Sequence, residues 1–180
     1  MTKRTKAVVL FSVLVGAGAV ALYAAAGPVQ SAAAEKVPML DIRAISGEKA
    51  GESFCYVCAH GNAEYAVVFV QKWNGMVAGF AKQLEELKAD HPKLGVAVIL
   101  LDRTEGLADR VRTDLGDAKL TVATIGIPDG EKGWADVKGW AVDNAKQTNA
   151  VIVVNREAKA RFTAGCPHCD HVAAQIAESL

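Results

Sequence analysis

The chain lacks most of the signatures on which soluble enzymes build a site. It has no glycine-rich phosphate loop, no Ser-His-Asp set and no spaced pair of carboxylates, which argues against nucleotide, triad-hydrolase and glycosidase chemistry. Its formal net charge is zero. No basic patch or stripe breaks that balance, so a nucleic-acid partner is not expected. No repeat, low-complexity tract or linker follows residue 36. Cysteine is sparse as well, with four in 180 residues.

Charge is missing altogether from Ala7 to Ala34. Lys3, Arg4 and Lys6 precede this run, Gly27-Pro28 breaks its end, and Ala32-Ala33-Ala34 stands ahead of Glu35. The pattern is that of a secretory signal, with cleavage expected after Ala34. The apolar stretch over residues 7–26 also approaches the roughly 20 residues that span a bilayer, so an uncleaved N-terminal anchor is the alternative. Residues 1–34 are therefore assigned as signal peptide or anchor and 35–180 as one domain. Either way the body is expected outside the cytoplasm, periplasmic or secreted, where disulfides persist.

Hydrophobic periodicity sets the expected elements. Val37 to Ile45 alternates loosely as a first strand. Ser53 to His60 and Ala63 to Val70 are β-prone runs joined by Gly61-Asn62, which predicts a tight hairpin. Trp73, Val77, Phe80, Leu84 and Leu87 predict a helix from Asn74 to about Asp90, with Asn74 as cap and Pro92 as stop. Gly95 to Leu101 is a buried strand, and Leu107, Val111 and Leu115 mark a second helix. Leu120 to Ile127, a weak helix carrying Trp134, Val137 and Ala141, Ala150 to Val154, a hairpin return over Lys159 to Thr163 and a closing helix complete the order. The class is α/β, three layers, with a central mixed sheet and helices on both faces.

The cysteines fall in two C-x-x-C pairs, Cys55-Tyr56-Val57-Cys58 and Cys166-Pro167-His168-Cys169. Pro167 suits a first helical position, which would make Cys166 the N-cap of the last helix and favour its thiolate. Val172, Ile176 and Leu180 carry that helix's apolar stripe, and Cys169 falls on the same side. For the first pair two geometries compete. In a regular strand, residues three apart face opposite ways and cannot easily bridge, whereas a turn permits a local bridge. Pairing across Gly61-Asn62 would set Cys55 near Val68 and carry it toward Cys166.

Element order and the two pairs together resemble the thioredoxin-like superfamily over roughly Val37 to Leu180. The resemblance implies a redox C-x-x-C after the first central strand, but here that turn is Gln71-Lys72-Trp73-Asn74-Gly75 and holds no cysteine. The same vacancy disfavours a peroxidase. The family's cis-proline is also missing, since Thr148-Asn149-Ala150 stands in its place. Cys166-Pro167-His168-Cys169 is identical to the active-site tetrapeptide of periplasmic disulfide oxidases similar to DsbA, though it comes much later in the chain.

The expected activity is thiol-disulfide exchange with protein thiols or disulfides, catalysed by Cys166 and Cys169, with Cys55 and Cys58 as a second shuttle or a clamp. No cofactor and no metal are expected on this reading. One alternative is a non-catalytic domain with structural disulfides. The other is a Zn or Cu module with Cys55, Cys58, Cys166, Cys169, His168 and His171 as ligands, which would need the fold to join the chain's two ends. His91 reads as a solvated helix-end residue. Trp73, Trp134 and Trp140 read as core packing, and Asp102-Arg103 lies at a strand end where α/β sheets hold ligands.

Overall fold

The computed structural model describes residues 30–116, 123–166 and 171–180. Its strands are β1 (Gln30–Lys36), β2 (Asp41–Ser46), β3 (Ser53–Cys55), β4 (Tyr65–Val70), β5 (Gly95–Leu100), β6 (Ala123–Pro128), β7 (Thr148–Val154) and β8 (Glu157–Ala164). Its helices are α1 (Tyr56–His60), α2 (Gly75–Asp90), α3 (Leu107–Leu115), α4 (Gly130–Lys138) and α5 (Val172–Glu178). One sheet carries all eight described strands, in the order β1-β8-β7-β4-β5-β6-β2-β3.

The continuously apolar runs take the centre, as their composition requires: every residue of β4 and of β5 is buried. The parallel pairings are those of β4 with β5 and of β5 with β6. β7 is antiparallel to β4, and β8 to β7. It follows that β8 runs in the direction of β4 and ends at the same edge. Asn155 and Arg156 both adopt positive φ between β7 and β8, 53° and 63°, the conformation a two-residue hairpin turn demands.

Alternate residues of the central strands feed two cores. Val68 and Val70 face α2, α3 and α5, packing with Val77, Phe80, Leu84, Val111, Val172 and Ile176. Val67 and Phe69 face α1 and the end of α4, packing with Tyr56, Val57, Val137 and Trp140. The three-layer expectation holds.

Two expectations fail. Ser53 to His60 is not one strand, and Gly61-Asn62 is not a hairpin turn: β3 stops at Cys55, pairs with β2 and gives way to α1. Cys55 therefore lies opposite Asp41 on the edge strand farthest from β8, not beside Val68. The first expected strand, Val37 to Ile45, forms only from Asp41 as β2, and β1, ending at Lys36, lies ahead of it where no strand was expected. The start proposed at Leu120 for β6 lies outside the described residues.

Candidate functional site

The turn from β4 into α2 is built without a cysteine, and its geometry is fully specified by other residues. Asn74 caps α2, its Oδ1 accepting from the N–H groups of Met76 at 3.0 Å and Val77 at 3.1 Å. Asp102, 4% exposed at the end of β5, accepts from Thr104 Oγ1 at 2.6 Å, Thr104 N at 3.0 Å, Lys72 Nζ at 3.2 Å and Trp73 N at 3.4 Å. Burial alone would raise its pKa, but the donors of Thr104, Lys72 and Trp73 prevail and hold it at about 2. Trp73 Nε1 donates to Asp114 at 2.7 Å, and Gln147 Nε2 donates to the Lys72 carbonyl at 2.8 Å. The turn is tied to β5, α3 and the start of β7.

Into this place β8 delivers Cys166. β8 ends at Ala164, paired with Thr148, which is in turn paired with Val70 at the end of β4. Two residues on, Cys166 is half-buried and disulfide-bonded, and its Sγ lies 3.7 Å from Sδ of Met76 in the first turn of α2. Pro167, His168 and Cys169 lie outside the described residues, so the proposed roles of His168 and Cys169 have no geometry here. Helix α5 begins at Val172 with His171 as N-cap at φ 53°. Cys166 is thus not the N-cap of α5, because the turn closes on a left-handed histidine well after Pro167. Its sulfur lies against the first turn of α2.

The first pair closes on itself. Cys55 and Cys58 form a disulfide with Cα atoms 5.2 Å apart, inside the usual span. Cys55 is the N-cap of α1, and its Sγ accepts from the N–H of Cys58 at 3.2 Å. Cys55 packs partly buried against the Tyr56 and Val57 core, whereas Cys58 is exposed. The turn geometry, not the strand geometry, is the one adopted. Cys55 ends β3 at one edge of the sheet, and Cys166 follows β8, beside the other edge.

That separation, with Cys55, Cys58 and Cys166 all disulfide-bonded, leaves no four-thiolate centre of the kind the metal alternative required. Among the described residues no group of three or more His, Cys, Asp or Glu could hold a metal ion. His60 instead ends α1, its Nδ1 3.0 Å from the Tyr56 carbonyl and its ring 4.1 Å from the Tyr56 ring. Burial lowers its pKa. His91 and His171 are exposed.

Trp73 and Trp140 are core residues at 5% and 0% exposure. Trp134 is half-buried, with the Arg103 guanidinium stacked 3.9 Å from its ring centre. It lines a groove of ≈ 600 Å³ with Gln71, Leu101, Arg103, Lys138 and Asn144. Met76 and Thr148 were not among the residues singled out from sequence. Met76 gave no signal beyond an apolar residue on the polar side of an amphipathic helix, where it is 50% exposed. Thr148 gave none. Its hydroxyl is buried without a hydrogen-bond partner on the α2 face of β7.

No protein-family profile and no characterised protein matches the sequence. Solved structures do match by shape. A DsbF homologue from Corynebacterium diphtheriae superposes with a TM-score of 0.56 at 16% identity, covering 82% of this chain and 87% of that one. The fold is thioredoxin-like. The thioredoxin domain of a thiol-disulfide oxidoreductase from Bacteroides vulgatus gives a TM-score of 0.57 at 11% identity, covering 81% of this thioredoxin-like chain and 98% of the other. A secreted Mycobacterium tuberculosis disulfide oxidoreductase homologous to E. coli DsbE gives 0.51 at 16%, covering 77% and 95%. These likenesses carry the fold. The site must be argued from this chain's own residues.

Proposed function

We propose that this protein exchanges thiols and disulfides with partner proteins outside the cytoplasm, with Cys166 as the attacking sulfur and Cys169 as the resolving one. The observation that carries the reading is the 3.7 Å contact between Cys166 Sγ and Met76 Sδ. It brings Cys166 to the first turn of α2, the region where the resemblance to thioredoxin-like proteins implies a redox turn and this chain has no cysteine. The 16-residue α2 presents a partial positive charge there, which favours a nearby thiolate.

In the reduced protein the Cys166 thiolate attacks one sulfur of a partner disulfide, and the partner's other sulfur leaves as a thiolate. The Cys169 thiolate then attacks Cys166 in the mixed disulfide, restoring the Cys166–Cys169 bond and releasing the partner's second thiol. Two electrons pass to the partner. Run in reverse, the same steps oxidise a dithiol.

Cys55 and Cys58 are assigned as a clamp, because Cys55 packs into the core and their bond fixes the end of a three-residue edge strand. Export is supported by the uncharged run of residues 7–34 and by persistent disulfides. Among the described residues no helix is long and apolar enough to cross a membrane, and residues 7–26 lie outside them. The pairing of Gln30 and Ser31 with β8 argues against cleavage after Ala34, which would remove those partners.

The test is insulin reduction driven by dithiothreitol, together with oxidation of a model dithiol peptide. Both rates should fall to the uncatalysed level in Cys166→Ser and persist in Cys55→Ala/Cys58→Ala. Retention of both rates in Cys166→Ser would overturn the assignment.

A further inference from the structure

Disulfide exchange at Cys166 leaves the groove beside Trp134 unused. That cavity of ≈ 600 Å³ opens at the edge where β4 and β5 end, since Gln71 and Leu101, each one residue past its strand, line it. Helix α4 forms its wall with Glu131, Trp134 and Lys138, whose spacings of three and four put them on one helix face. The chain crosses the sheet here. Gly133 lies against Asp41 of β2 and Pro128 of β6, whereas Trp140 packs on Phe69 of β4 and its carbonyl accepts from Arg161 of β8. Lys138 therefore stands at the end of the groove nearer β8 and Cys166, with Glu131 about 10 Å back along the helix.

The cations of this end are unmatched. Arg103 holds its guanidinium 3.9 Å from the Trp134 ring centre, and neither Arg103 nor Lys138 has a carboxylate partner among the described residues. Stacking on an aromatic face fixes the plane of a guanidinium while its N–H edge stays open to a planar carboxylate. Gln71 Nε2 donates to Asn144 Oδ1 at 3.3 Å, which ties this end of the groove to the turn that leads into α2.

We propose that this groove selects the partner: it receives an acidic side chain, Asp or Glu, from the extended polypeptide segment whose sulfur reacts at Cys166. The inference rests on Cys166 being the reactive sulfur. Cys166 follows β8 and Arg103 follows β5, with β7 and β4 between them, so the two leave one sheet edge about 14 Å apart, three strand spacings of about 4.8 Å. An extended chain covers that span in about four or five residues. The carboxylate recognised by Arg103 and Lys138 is therefore placed about four or five positions from the partner's cysteine. Because the groove is open to solvent, salt should weaken the preference.

The test compares peptides that differ only in carrying Glu, Gln or Lys at the fourth and fifth positions on each side of the reactive residue. Each is made as a dithiol, whose oxidation by the oxidised full chain gives kcat/KM, and with serine for cysteine, whose binding is followed by anisotropy of a terminal rhodamine. The Glu peptide should bind about tenfold more tightly than the Lys peptide and be oxidised with a kcat/KM about tenfold higher. Both ratios should shrink in high salt. Arg103→Gln/Lys138→Gln should bring them within about twofold, whereas Lys82→Gln, which removes a cation from an exposed position on α2, should leave them standing. Arg103→Glu should reverse the order, a result that misfolding cannot produce. Equal affinity for the Glu and Lys peptides, or a preference that survives Arg103→Gln/Lys138→Gln, would overturn the groove while disulfide exchange stands. Failure to oxidise any dithiol would overturn exchange and the partner role together, and the serine peptides then tell whether the groove itself holds an acid.

Discussion

Cys166 and Met76 bring two sulfurs to 3.7 Å across the gap between the end of β8 and the first turn of α2. Ninety residues of sequence separate them. The sheet closes that distance because β8 runs parallel to β4 one strand removed, with β7 between them, so both turns leave the sheet at the same edge. Cys166 thereby reaches the turn into α2, where Gln71 to Gly75 holds no cysteine.

The scaffold of that place should depend on Asn74. Asn74→Ala removes the acceptor for the Met76 and Val77 N–H groups and should cost about 1 kcal/mol in urea unfolding, in the usual range for a lost N-cap. Because Met76 sits in the released turn, the exchange rate should fall as well, whereas Asn74→Asp should keep both near wild type.

Asp102 should make the fold acid-sensitive. Its pKa is lowered from 3.8 to about 2, so its contribution is complete above the unfolded value and is lost as the pH falls through the folded one. Thermal unfolding followed between pH 5 and pH 2, a range of about three units around those values, should show a falling Tm. Asp102→Asn should flatten that fall and cost about 1–3 kcal/mol near neutral pH, through lost charge-assisted hydrogen bonds.

Close packing at the other end of the sheet gives an independent test of the fold. A Cβ at Gly95 would clash with Cδ2 and Nε2 of the His60 ring and lie 2.9 Å from Tyr65 Cβ. Gly95→Ala should therefore destabilise by about 1–3 kcal/mol. His60→Ala should relieve part of that in the double variant, a coupling that a mutant cycle measures directly.

The clamp formed by Cys55 and Cys58 should be a matter of stability. Cys55→Ala/Cys58→Ala should lower stability by about 2 kcal/mol on loop-entropy grounds, with the exchange rate unchanged. A loss of exchange with stability intact would move the active pair to the β3 edge.

Much of the scaffold was legible because local and global preferences agree. Asn74 caps and Pro92 follows a helix whose apolar residues face one core, and the β4 and β5 runs had no polar residue to place on a solvent face. The strand expected over Ser53 to His60 holds only to Cys55, because Tyr56 and Val57 favour strands while a bridge across three residues demands a turn. Gly61-Asn62 then looked like a hairpin, although Gly61 ends α1, where its N–H bonds the Val57 carbonyl. Cys166 was misplaced at a helix cap because Pro167 fits a first turn, and nothing in the sequence marks His171 as the left-handed start of α5. The partnership of Cys166 with Met76 depends on strand order, which no local pattern carries.

The most direct test of the central claim is to trap the mixed disulfide. Reduced Cys169→Ser is mixed with a model disulfide substrate, quenched by alkylation, and mapped by peptide mass spectrometry. The account predicts a substrate adduct on Cys166 and none on Cys55 or Cys58; an adduct confined to Cys58, or no adduct at all, would contradict it.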